Sequence, residues 1–186
     1  WDIGGAQKYY GVTPDLCCLG KAIANGMPIS AIAGKKKYMQ ELNHAFFSMT
    51  FGGECLSLAA AIETIKELKT KDYSYIWELG NMLDTGIKEA AKKHGIEINL
   101  AGSAPRHNLS FPSTYEDPQG MKAIFYQEMV KQGIFFPNVI YIQFSHTKRD
   151  IKKTIKAADK SFKFLKNNLN NLDNVLEGKK SIDIFR

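Results

Sequence analysis

The 186-residue chain has little that would tie it to a membrane, an oxidising compartment or a metal ion. No apolar run approaches the roughly 20 residues that cross a bilayer. The opening Trp1-Asp2-Ile3-Gly4-Gly5 is not the basic-then-apolar stretch of a signal peptide. It has no initiator methionine either, which leads us to expect a chain that begins within a longer protein. Cysteine is scarce: Cys17 and Cys18 are adjacent, and Cys55 leaves the total odd. That pattern makes neither a disulfide framework nor a CxxC metal clip, and a reducing, cytoplasmic setting is expected. The four histidines (His44, His94, His107, His146) lack any ligand spacing such as HExxH, so no metal is expected. Asp2, Asp15 and Glu54 do not form an obvious carboxylate pair. The net charge of +6 is carried by dispersed lysines, with short clusters at Lys35–Lys37, Lys152–Lys153 and Lys179–Lys180. Without a basic stripe interleaved with aromatics, no nucleic-acid partner is expected, and the lysines read as solvated helix faces.

What is present is an ordinary globular balance of apolar and charged residues, enough for one sizeable core or one domain plus part of another. Residues 5–10 suit a short helix ended by Gly11. Asp15–Leu19 and Ile29–Ala33 read as short buried strands, separated by a loop that holds the turn signal Asn25-Gly26. Lys36–Asn43 suits a short helix, and Phe46–Phe51 an extended segment entering Gly52-Gly53. Leu56–Lys69 is helical with Leu58, Ala61, Ile62, Ile65 and Leu68 on one face; Asp72–His94 is a second helix, stopped by Gly95. The pattern then changes. Ile96–Leu100 alternates as a half-buried strand does, Leu109–Phe111 follows a turn, and Ile134–Phe136 and Tyr141–Phe144 read as further strands. Helices are expected at Met121–Gln132 and Lys148–Leu169, with a frayed tail. The break near Gly95 is the candidate boundary.

Two segments carry chemistry. In Leu19-Gly20-Lys21-Ala22-Ile23-Ala24-Asn25-Gly26-Met27-Pro28, a lysine ends a strand among small residues. A lysine amine so placed can form a Schiff base and move protons, whereas the plainer alternative is a surface lysine beside a turn. A phosphate-binding P-loop does not fit, because Asp15 stands where its first glycine belongs and Ala22 where its hydroxyl belongs. In Ser48-Met49-Thr50-Phe51-Gly52-Gly53-Glu54, a glycine-rich turn precedes a helix. Thr50, Gly52 and Gly53 are candidate phosphate contacts, and Glu54 is a candidate complement to the helix N-terminus. The alternative is a plain strand–helix turn.

Gly11–Leu16, Leu19–Pro28 and Thr50–Glu54 together resemble the class III aminotransferases that depend on pyridoxal 5′-phosphate (PLP), and among them the glutamate-1-semialdehyde 2,1-aminomutases and their relatives. Gly102–Arg106, Gly133–Pro137 and Ser145–Ile151 fit the small-domain landmarks of that family more weakly, so the likeness spans essentially the whole chain. The resemblance implies an α/β fold: the C-terminal part of a fold type I PLP-dependent transferase large domain over residues 1–94, then a small α+β domain over 95–186. It implies Lys21 as the Schiff-base lysine and Thr50, Gly52 and Gly53 as cofactor contacts. It also implies a homodimer in which Thr50 reaches across the interface, and a small-molecule amino donor and acceptor. Arg106 is a candidate for a substrate carboxylate, against the alternative of a surface arginine after a proline turn. The family's phosphate-cradling loop, ring-stacking aromatic and pyridine-facing aspartate would lie before Trp1. The chain alone is therefore expected to be incomplete as a catalyst, and a non-catalytic fragment that keeps a dimerisation surface is the alternative of another class. Pro137–Tyr141 lacks the acid expected of the aminomutases, which favours an aminotransferase for an amino acid or an amino-sugar-like amine or aldehyde.

Overall fold

In the computed structural model, which describes residues 1–46, 49–137 and 139–180, the chain divides between Tyr73 and Ser74. In the first unit, α1 (Gly5–Tyr9) ends at Gly11, whose φ of 67° lies in the left-handed region. Trp1, Tyr9 and Tyr10 cluster there, with ring centroids 5.0–5.5 Å apart. β1 (Leu16–Leu19) pairs antiparallel with β2 (Ala31–Gly34), Leu16 opposite Gly34 and Leu19 opposite Ala31. Gly34 is required at that register, because a Cβ there would meet the Asp15 carbonyl oxygen at 2.5 Å. The strands are where the apolar runs predicted them, but they are not buried: Leu16 is 52% exposed, and Leu19 and Ile32 are exposed as well. A ladder of two strands has no third layer in this unit to cover it.

α2 (Lys36–Met39) continues into a 3-10 turn at Gln40–Asn43. Of the extended segment expected at Phe46–Phe51, Phe47 and Ser48 lie outside the described residues, and Thr50–Gly53 form a turn rather than a strand. α3 (Cys55–Lys69) has the expected apolar stripe, yet only Ser57 and Ala61 are buried, while Leu56, Leu58, Ile62 and Ile65 are exposed. The periodicity marks a face built for burial that no element of this unit covers.

The second unit has a core of its own. α4 (Ser74–Lys93) and α5 (Pro118–Lys131) both pack on α6 (Lys148–Asn167). The division thus falls ahead of α4, whereas the sequence pattern breaks behind it, near Gly95. β3 (Asn99–Ser103), β4 (Arg106–Ser110) and β5 (Val139–Tyr141) form an antiparallel sheet with β4 in the middle. Two expected strands, Ile96–Leu100 and Ile134–Phe136, differ for one reason. At the end of α4, Gly95 donates to the Lys92 carbonyl and Ile96 to that of Ala91; at the end of α5, Gly133 donates to Val130 and Ile134 to Met129. Both are Schellman closures, which recruit the apolar residue after the glycine to seal the helix end. Ile96 and Ile134 are therefore parts of caps, β3 starts three residues late, and no ladder forms at Ile134–Phe136.

The tail, expected to fray, is folded over its described residues, which end at Lys180. After a 3-10 turn at Leu169–Asn171, α7 (Leu172–Val175) lies against α5. Gln127 brackets it, donating to the Val175 carbonyl at 3.0 Å and accepting from the Glu177 amide at 2.8 Å. Lys180 pairs with Asp117 at 2.6 Å and Asp173 at 2.7 Å, and those carboxylates push its pKa up to about 12.

Gly80 in α4 shows how tightly this unit is assembled, since a Cβ there would lie 2.0 Å from the Ala104 carbonyl oxygen. Gly80→Ala gains about 1 kcal/mol in helix propensity. It must also displace backbone rather than a flexible side chain, an overpacking cost of about 3 kcal/mol. The net expectation is a loss of about 2 kcal/mol in urea or thermal unfolding; an unchanged or raised midpoint would contradict the close approach.

Candidate active site

β1 delivers the chain to Gly20, which is fully extended at φ −163°, and Lys21 then turns sharply at φ 51° into a 3-10 turn, Lys21–Ala24. A side chain in the left-handed region costs about 1–2 kcal/mol, a strain that tends to be retained at functional positions. Asn25 (φ 47°) and Gly26 (φ 110°) repeat the left-handed geometry and reverse the chain towards β2. Hydrogen bonds from Ile23 to Gly20, Asn25 to Ala22 and Met27 to Ala24, at 3.2–3.3 Å, hold the loop, and Ala24 is its buried pin. The Lys21 side chain is exposed and, among the described residues, makes no ion pair or hydrogen bond. Space around it is open: a Cβ at Gly20 would find only Ser30, at 3.9 Å, and one at Gly26 would find nothing.

The 3-10 turn of Lys21 packs against α3, the helix that the Thr50-Phe51-Gly52-Gly53 turn introduces. Gly52 closes that turn by donating to the Met49 carbonyl at 3.0 Å, and a Cβ at Gly53 would again meet nothing. The α3 N-terminus is already taken. The Glu54 carboxylate accepts from the Leu56 and Ser57 amides, both at 2.7 Å, and from the Ser57 hydroxyl. The hydroxyl first, and then the two amides, hold its carboxyl below the usual carboxylate range. A charged carboxylate in the helix mouth repels a second anion there. A phosphate at this turn is left with the Thr50 hydroxyl and the Gly53 amide, on the approach side that Gly53 leaves open, because the Gly52 amide is committed to Met49. To that extent the turn fits a phosphate-bearing cofactor, and the uncommitted amine of Lys21 fits an aldehyde.

The other candidates do not converge. Asp2 pairs with Lys8 at 3.0 Å, Asp15 with Lys35 at 2.6 Å, and Glu54 caps its helix, so the three acids have separate tasks. No group of histidine, cysteine and acidic side chains able to hold a metal occurs among the described residues. Arg106 belongs to the second unit, at the start of β4. It faces Tyr141 across the ladder, with its guanidinium 5.7 Å from the ring centroid, and it makes no ion pair among the described residues. The strain at Lys21 and the support of Arg106 by Tyr141 were not visible in the sequence, since the first is a backbone angle and the second depends on a register between segments 35 residues apart.

Among solved structures, the chain superposes on the PLP internal aldimine form of the FumI protein of Sphingopyxis sp. MTA144 with a TM-score of 0.82 and 26% identity, covering 90% of this chain and 41% of that one. An omega-transaminase from Sphaerobacter thermophilus gives 0.81 at 19% identity, over 88% of this chain and 42% of that one. The fold is thus that of the PLP-dependent transaminases, represented over part of its length. The family model for class-III aminotransferases matches residues 4–139, and the chain belongs to that family. It is 36% identical over 177 residues to glutamate-1-semialdehyde 2,1-aminomutase 1 of Staphylococcus carnosus (strain TM300), covering 87% of this chain. It spans about two fifths of the length of that relative, 41%.

Proposed function

We propose that the protein is a PLP-dependent amino-group transferase in which Lys21 carries the cofactor through its Nζ. The observation that carries this reading is Lys21 itself: an uncommitted amine, held at a strained backbone angle at the end of β1, in a chain of the class-III aminotransferase family. When bound, the cofactor supplies an electron sink for negative charge at the substrate α-carbon. Thr50, with the amide of Gly53, binds its phosphate across the interface of a homodimer, at the turn that Gly52 closes on Met49. The uncovered faces of β1 and α3 support such an interface, because exposed apolar area of this kind marks association. Lys21, once its amine is displaced by substrate, holds and moves the α-carbon proton. In the second unit, Arg106, backed by Tyr141, offers a guanidinium free of ion pairs among the described residues to a carboxylate. The free cysteines Cys17, Cys18 and Cys55 accord with a reducing cytoplasm.

The 36% identity to an aminomutase favours amino transfer within one molecule as the second reading. The absence of an acid in Pro137–Tyr141 favours transfer between two molecules. The test of the Lys21 assignment is to express the whole reading frame, reduce with borohydride in the presence of PLP, and map the labelled peptide. The label is expected on Lys21, and a label on any other lysine overturns it.

A further inference from the structure

Folding collects the lysines that look dispersed along residues 148–166. At about 100° per residue, Arg149, Lys152, Lys153, Lys156, Lys160 and Lys163 of α6 fall within an arc of about 100°, opposite the buried Ile151, Ala158, Phe162 and Leu165. All six are exposed, and none makes an ion pair among the described residues. The two acids of the helix are committed elsewhere. Asp150 closes the capping box with Thr147, and Asp159 pairs with Lys93 at 2.9 Å and with His94. Glu89 lines the shallow groove beside Lys152 and Lys156 without pairing to either. The other long helices pair their charges: Glu63 with Lys66 in α3, Glu67 of α3 with Lys71 just beyond it, Asp84 with Lys88 in α4, and Glu128 with Lys131 in α5. On α6 the neighbours at three and four residues are like charges, such as Arg149–Lys153, Lys152–Lys156 and Lys156–Lys160, and each costs the free helix a few tenths of a kcal/mol. A polyanion relieves that repulsion.

We propose that this ridge of α6 binds the phosphate backbone of duplex nucleic acid without reading its sequence. Charge complementarity selects the partner. The ridge is about 21 Å long at 1.5 Å per residue, and its six cations follow one another at about 4.2 Å along the helix axis on average. A duplex presents one phosphate per about 3.4 Å of its axis on each strand, a charge density of the same order and opposite sign. Between Arg149 and Lys163 the arc holds no aromatic ring to stack on an unpaired base and no amide to read a base edge; Asn167, on the same side, lies a turn beyond Lys163. It also holds no apolar side chain to enter a bilayer, since that side of α6 is buried. The expectation from sequence that nucleic acid is not a partner rested on lysines that look scattered and on the lack of a basic stripe interleaved with aromatics; winding α6 gathers the cations, and duplex backbone contact needs no aromatics.

The test is fluorescence anisotropy of a labelled duplex of arbitrary sequence with the protein expressed over its whole reading frame. Two triple variants are compared with it, each checked for an unchanged melting temperature. Binding is expected at about 50 mM salt and is lost steeply as salt rises. Lys153→Gln/Lys156→Gln/Lys160→Gln is expected to weaken it at least tenfold and to flatten the log–log salt slope by about 2.7, at 0.9 per phosphate contact. Lys36→Gln/Lys37→Gln/Lys69→Gln, which removes the same charge elsewhere, is expected to change affinity less than about twofold. Equal losses in the two variants, or no binding by the parent protein, overturn the proposal. So does binding to phosphatidylserine vesicles that the α6 variant abolishes while duplex binding is absent.

Discussion

On the proposed assignment of Lys21, replacing it with alanine or arginine is expected to lower amino transfer at least about 1,000-fold without unfolding the protein. Positioned acid–base catalysis alone is worth about 100- to 10,000-fold, and loss of the covalent attachment point adds to that. Arginine preserves the charge but cannot give up its proton near neutral pH, so it fails as a base, just as alanine, with no amine, does. Lys21→Gly separates function from strain. Lys21 sits at φ 51°, and lysine, alanine and arginine all bear the left-handed penalty of about 1–2 kcal/mol that glycine escapes. Glycine returns about 0.5–1 kcal/mol of that through its freer unfolded chain. Lys21→Gly is therefore expected to be as stable as the parent, or slightly more so, and equally inactive. Steady-state rates and thermal melts on the whole-frame protein decide it. An active Lys21→Ala variant removes Lys21 from the chemistry, whereas a Lys21→Gly variant less stable than Lys21→Ala shows that the loop holds no strain at this position.

Local pattern alone makes part of the fold legible. Gly11, Gly95 and Gly133 stop their helices where the sequence puts them, and the alternation of apolar runs with turn signals locates β1, β2 and every helix of four turns or more. It misses what a glycine stop entails. Ile96 and Ile134 look like the first residues of strands, but a Schellman closure claims the apolar residue that follows the glycine, a competition between cap and ladder that no alternation rule weighs. At the candidate site, residue types are legible and geometry is not. Lys21, Thr50, Gly52 and Gly53 stand out as residues, but the capture of the α3 amides by Glu54 decides which donors remain for a phosphate, and it depends on a side-chain rotamer. The apolar periodicity of β1, β2 and α3 is real and the burial inferred from it is not, since period reports what a face is built for rather than what covers it. The α6 ridge is the converse case: in sequence order its lysines look scattered, and only winding them at 3.6 residues per turn shows that they share a side.

Phe162→Ala is expected to cost the second unit about 4 kcal/mol. Phe162 has no solvent exposure and stacks on Phe125, itself fully buried, at a centroid distance of 4.6 Å and an interplanar angle of 29°. Phe125 in turn meets Phe111 at 6.3 Å and Phe136 at 5.7 Å, both near edge-on, so one ring ties α6 to α5, to the segment after β4 and to the segment before β5. Truncating a buried phenylalanine costs about 3–5 kcal/mol, partly in lost transfer energy and partly in the cavity left behind. The stacked pair places this site towards the upper half of that range. Collapse offers little relief, because the neighbouring Ala158 and Leu165 of α6 and Ile124 and Met129 of α5 are fully buried in place. Against a total stability of about 5–15 kcal/mol, such a loss leaves the unit marginal. Phe162→Leu keeps most of the volume and is expected to cost about 1.5 kcal/mol. Urea unfolding followed by circular dichroism and by Trp77, which lies in this unit whereas Trp1 lies in the other, reads both variants. Midpoints should fall in that order at a constant denaturant slope. A Phe162→Ala loss below about 1 kcal/mol would mean that the aromatic cluster is not what holds α5 and α6 together.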